Sequence, residues 1–209
     1  MTWKCWLLKE TNLASLSLRR YGGMTPCPGN PYGMSCHDSR AYIGSVPITI
    51  TPMGGWDVNV PAPPQGDPRW PIRCQCGYVF VEDDTWQLES NRYYLIESYG
   101  KGIVIEGVNP GGVQRAITLR EATPGMMWNA PWYAAREDGL SMVVRLPGGE
   151  DWAIDEPSSS GGPGWKRKGV PPLLTVTPSI STSRYHGFLT DGYLTDDLEG
   201  RTYEPAEHE

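Results

Sequence analysis

The chain has 209 residues, 18 basic against 24 acidic side chains and a formal net charge of -6. That balance argues against a general nucleic-acid coat, whose phosphate contacts need a basic surface. The lack of any run of about 18 apolar residues argues against a membrane-spanning helix. Hydrophobic residues make up 39%, while Gly 25 and Pro 20 break the chain often, and nine Trp and eleven Tyr stand beside two Phe. Each such ring buries a large apolar area but carries a polar handle that needs a partner. The expectation is a loop-heavy fold held by aromatic clusters.

In chain order, "NLASLSLRR" places Leu13, Leu16 and Leu18 on neither a helical nor a strand period, so residues 1–20 read as a short strand or helix. The opening segment lacks the apolar stretch and small-residue cleavage pattern of a secretory signal. This points to a cytoplasmic setting where thiols stay reduced. Residues 21–40 form a Gly/Pro loop with Cys27, Cys36 and His37, and "AYIGSVPITIT" reads as extended chain broken at Pro47. Prolines between residues 52 and 71 resist helix and central strand alike, so that stretch reads as a linker or a surface arm.

Strand signals then dominate in "YVFVED", "RYYLIES", "GIVIEGV", "RAITLRE", "SMVVRLP" and "DWAIDEP", with turns at "NPGG" and at Gly148-Gly149. "PSSSGGPGWKRKGVPP" reads as a loop, and its Lys166-Arg167-Lys168 cluster as a solvated turn. "LLTVTPSI" puts Leu174, Val176 and Ile180 toward a core, and "TDG" before Tyr193 is a turn favouring positive φ. The predicted fold is mainly β: an antiparallel sheet over roughly residues 76–185 with long Gly/Pro-rich loops, stabilised by a small metal-binding loop cluster. The predicted organisation is a loop-rich N-terminal region over residues 1–70 that contributes metal ligands, a β-rich core over 71–196, and a flexible acidic tail over 197–209.

The cysteines carry the sharpest chemistry. Cys74 and Cys76 lie one residue apart ahead of Gly77, and Cys27 and Cys36 lie in the first loop; Cys5 stands alone between two tryptophans. Four thiolates from two loops satisfy a structural zinc, and binding free energy becomes folding free energy in such segments. The predicted ligands are therefore Cys27, Cys36, Cys74 and Cys76, with His37 the alternative to its neighbour Cys36. The spacing departs from the two to four residues usual between paired zinc ligands, so buried free cysteines, and behind them a disulfide or redox role, remain the competing readings. With no adjacent base, the site reads as structural rather than catalytic.

Ser179, His186 and Asp191 offer an optimistic hydrolase set, but no Gly-x-Ser-x-Gly elbow accompanies them. Phosphate-loop, dinucleotide and metalloprotease motifs are likewise missing. "CQCGYVFVEDDTWQ", "ITLREATPGMMWNAPWY", "LTVTPSI" and "YHGFLTDGYL" together resemble a functionally uncharacterised family of small proteins encoded by actinobacterial phages and prophages. The closing motifs are also similar to the end of a bacterial and phage domain of unknown function. Some members of that domain place further Cys and His where this chain has only "STSR". The resemblance implies a phage origin and a β-rich fold, and it brings no catalytic residue.

Three functions are consistent with these residues. The first is a zinc-stabilised accessory protein in the host cytoplasm that binds a host, defence or phage protein. The second is an enzyme with a pocket around His186 and Asp191, and the third a virion component. In the first, Trp128, Trp132 and Tyr133 of "MMWNAPWYA" are the candidate anchors, with capping of the sheet's hydrophobic face as their alternative role.

Overall fold

The computed structural model describes residues 2–22, 37–51, 55–97, 116–133, 137–154 and 165–203. Its strands are β1 (Trp3–Lys4), β2 (Trp6–Tyr21), β3 (Asp38–Pro47), β4 (Thr49–Ile50), β5 (Trp56–Asp57), β6 (Thr85–Glu97), β7 (Ile117–Thr118) and β8 (Met126–Asn129). They continue as β9 (Met142–Arg145), β10 (Asp151–Ala153), β11 (Lys166–Val170), β12 (Leu173–Thr177), β13 (Ile180–Ser181), β14 (His186–Gly187), β15 (Leu189–Thr190) and β16 (Tyr193–Leu194). The fold is mainly β and helix-poor: among the described residues the one helical element is a 3₁₀ turn at Leu119–Glu121. No helix among them is long and apolar enough to cross a membrane.

Two compact units divide the chain: Met1–Glu10, Thr51–Gly55 and Tyr94–Glu209 form the first, Thr11–Ile50 and Trp56–Tyr93 the second. The chain passes between them inside β2 and β6. In the first unit β8 pairs parallel with the start of β2 (Trp6↔Met126) and antiparallel with β9, which pairs antiparallel with β10. The sheet is therefore mixed rather than purely antiparallel.

Apolar burial holds this unit. Met127, Met142, Val144, Leu146, Ile154, Leu174, Val176, Ile180, Leu189 and Leu194 pack with Cys5 and Tyr185 in one cluster, and Trp128 with Leu8, Tyr94 and Val143 in another. Leu174, Val176 and Ile180 face this core as their pattern predicts. The Asp191-Gly192 pair takes φ of 47° and 76° and closes the β15–β16 hairpin, Thr190 opposite Tyr193.

The second unit is built on the later half of β2, which pairs with β3 from Leu13↔Pro47 to Tyr21↔Asp38. Register shifts past Leu16/Ser17 because β3 carries an extra residue before Gly44 at φ 139°. Ala14, Leu16, Leu18 and Arg20 point inward while Leu13 is exposed. The alternation was hidden in the sequence because an alanine and an arginine hold two of the four inward positions. Arg20 fits there by lying 3.6 Å over the Trp86 ring and donating to the Pro71 and Val81 carbonyls.

Other expectations change. "YVFVED" forms no strand, only a single bridge of Arg73 with Val79, because a tight turn at Cys74–Gly77 and the Asp84 carboxylate take its backbone bonds. "RAITLRE" is strand only at Ile117–Thr118, after which Glu121 accepts from the Thr118 N–H and hydroxyl and turns the chain. Lys166-Arg167-Lys168 lies in β11, paired with β12, rather than in a loop; Arg167 meets Asp138 at 2.9 Å. "GIVIEGV" and "NPGG" lie outside the described residues. In the segment 197–203, Asp197 is buried and anchors its neighbours.

Candidate metal centre

The second unit brings His37, Cys74 and Cys76 together, with one ligand atom from each lying within 4.8 Å of the others. His37 comes from the end of the β2–β3 ladder, where its carbonyl accepts the Gly22 N–H at 3.0 Å. The two cysteines come from a knuckle. Gly77 N–H donates to the Cys74 carbonyl and Cys74 N–H to the Tyr78 carbonyl, both at 2.9 Å, and Phe80 N–H reaches the Ile72 carbonyl. Gly77 takes φ 93°, a conformation that a side chain disfavours, so this glycine lets the turn form directly after Cys76.

His37 is 3% exposed and Cys74 4%. The His37 Nδ1 lies 3.3 Å from the Cys76 sulfur, and its ring stacks on Tyr78 at 4.0 Å with 10° between planes. The Tyr78 hydroxyl donates to Asp84, whose carboxylate also accepts the Val81 N–H at 2.8 Å. The Tyr78–Asp84 pair thus orients the histidine. Burial opposes ionisation of Cys74, but hydrogen bonds from the Cys76, Asp38 and Gln75 backbone and from the Cys76 thiol outweigh it and hold its pKa below that of an ordinary thiol.

A tetrahedral zinc with bonds of about 2.0–2.3 Å sets its ligand atoms roughly 3.5–3.8 Å apart, so this trio closes on an ion with shifts of about 1 Å. One imidazole and two thiolates form a donor set suited to zinc or another soft-to-borderline divalent ion. Of the four predicted ligands, Cys74 and Cys76 are in the cluster, while Cys27 and Cys36 lie outside the described residues. His37 enters the cluster itself. Asp38 beside it does not serve as a base: two arginines engage it, Arg19 at 2.6 Å and Arg40 at 3.2 Å, and both also reach Glu89. Tyr78 and Asp84 were missed by sequence reasoning; an aromatic directly after Cys76-Gly77 was the available signal.

The C-terminal residues are arranged differently. His186 Nδ1 lies 3.4 Å from Glu199, its backbone N–H donates to Asp197, and Asp191 instead exchanges hydrogen bonds with Thr175. Ser179 contributes its carbonyl to Trp165. Comparison with models of known protein families, with curated proteins and with solved structures found no match.

Proposed function

We propose that this is a zinc-stabilised, phage-encoded accessory protein that works in the host cytoplasm by binding a host, defence or phage protein. The observation that carries the metal-stabilised part is the convergence of His37, Cys74 and Cys76 from two chain segments onto one point. A knuckle closed by backbone bonds, with the buried histidine held by a stacked tyrosine, suits a structural ion. Phage origin rests on the motif resemblance alone. Binding as the mode of action is supported by Trp132 and Tyr133, 50% and 41% exposed on adjacent positions. Aromatic side chains of this kind anchor protein interfaces. Trp128, the third candidate anchor, is 2% exposed and belongs to the core.

Metal analysis of protein purified without added zinc tests the first part. About one zinc per chain, lost in the Cys74→Ser/Cys76→Ser double variant, supports it; a folded chain without metal overturns it. For the second part, Trp132→Ala should leave folding intact and abolish binding to a partner identified by co-purification from infected cells. Retained binding removes Trp132 as the anchor, and a catalytic rate that collapses in His186→Ala with folding and metal intact replaces this reading with the enzyme.

A further inference from the structure

The first unit contains an open cavity of about 670 Å³, far from neutral in its lining. Arg120, Arg145, Arg184 and Arg201 all contribute to its wall, no aspartate or glutamate does, and Ser183 and Thr202 add hydroxyls. In a chain of net charge -6, four arginines line one space, while Asp151, Asp197 and Glu199 pair with two of them from outside the lining. The arginines come from four separate places: the 3₁₀ turn, β9, the β13–β14 connection and the C-terminal segment.

Two of the four are fixed from behind. Arg145 donates through Nε to Asp151 and through Nη2 to the Leu119 carbonyl at 2.9 Å. Arg201 donates through Nε to the buried Asp197 and through Nη1 to the Ser183 carbonyl. Its Nη2 is buried without a hydrogen bond, 3.3 Å from the exposed Glu199 carboxylate in an ion pair. Arg184 is exposed, and its guanidinium makes no hydrogen bond or ion pair among the described residues. Its backbone is held nonetheless, by the Tyr203 hydroxyl on its carbonyl and by Thr182 on its N–H. Gly148 makes the approach possible, since a Cβ there would come within 2.8 Å of the Arg184 Cβ.

Guanidinium forks match phosphate oxygens in pairs and stay charged at any relevant pH. A cavity of this volume is in the range that holds a small molecule. A long polyanion is disfavoured by the overall negative charge. We propose that the cavity binds a small molecule carrying two or more phosphate groups, with Arg145 as the fixed part of the cradle and Arg184 as the arm that closes on the ligand.

Titration calorimetry with sodium pyrophosphate at constant ionic strength tests this, using the zinc-replete full chain. One site per chain is expected, weakened about tenfold or more in Arg184→Ala, as the loss of a charge-assisted contact predicts, and partly restored in Arg184→Lys. Because the Arg184 side chain is exposed, the variant should keep its circular dichroism and metal content. Heat no greater than that of matched sodium chloride overturns the proposal. So does a signal indifferent to Arg184→Ala, which would come from another surface or from pyrophosphate drawing off metal. Tighter, Arg184-dependent binding of a single-stranded oligonucleotide would also overturn it, in favour of a nucleic-acid groove.

Discussion

The two units reach stability by different means. Both apolar clusters described, one around Met127 and Leu174 and one around Trp128, belong to the first unit. In the second unit, buried Arg20, His37, Asp84 and Arg92 share the interior with a few apolar side chains. There the order comes from Arg20 over Trp86, from the Arg19–Asp38–Arg40–Glu89 ion network, and from the His/Cys/Cys cluster. Where a segment cannot bury enough apolar area, directional bonds and a metal take over that role. Such order is more conditional, because it depends on protonation and salt and, on the proposed function, on a bound metal.

The largest expected effect follows from this contrast. Stripping metal with a strong chelator, or making Cys74→Ser/Cys76→Ser, should abolish amide protection at Cys74, Gly77 and Phe80, which form the knuckle's backbone bonds. Structural zinc contributes an apparent 10–16 kcal/mol in small domains, so a loss of several is about the least expected. Hydrogen exchange should show β8 and β9 still protected. Equal loss in both units would mean that the first unit depends on the metal as well.

Next in size is Trp128→Ala, which should cost about 3–5 kcal/mol in urea unfolding by opening a cavity in the first unit. Trp128→Phe should cost less, because the indole N–H is buried without a partner and its removal relieves a desolvated donor.

Acid should reveal a polar anchor even in the apolar unit. Burial disfavours the Asp197 carboxylate, but hydrogen bonds from the Tyr203 hydroxyl, the His186 N–H, Arg201 and the Glu199 N–H outweigh it and hold its pKa well below the usual carboxylate range. A folded value below the unfolded value of about 3.9 stabilises the fold above that pH, and the contribution fades as pH falls from about 4 through the folded pKa. Asp197→Asn should be less stable at pH 7 and show a flatter acid limb in thermal melts between about pH 5 and 2. An unchanged acid limb would mean that Asp197 does not carry the acid sensitivity of this unit.

The smallest effect concerns Cys5. Burial pushes its thiol up to about 12, against a backbone hydrogen bond at Leu194 that acts the other way. Alkylation of chelator-treated protein at pH 8 should therefore label Cys74 and Cys76, whose knuckle has opened, and leave Cys5 unmodified until the chain is denatured. Early labelling of Cys5 would mean that the core of the first unit opens readily.

The mainly β character, the Asp191-Gly192 hairpin and the inward face of "LLTVTPSI" were legible in the sequence, because short-range turn chemistry and period-2 patterning decide them locally. The Cys74-Gln75-Cys76-Gly77 knuckle was legible as a metal-binding feature for the same reason. Tertiary structure alone decided that β2 is one 16-residue strand, since Arg20 becomes an inward residue only when Trp86 and two carbonyls lie across the fold to receive it. It also decided that His37 enters the cluster, that Trp128 is core while Trp132 is surface, and that four distant arginines line one cavity. Each of these depends on contacts between residues tens of positions apart, and such contacts leave no periodic trace along the chain.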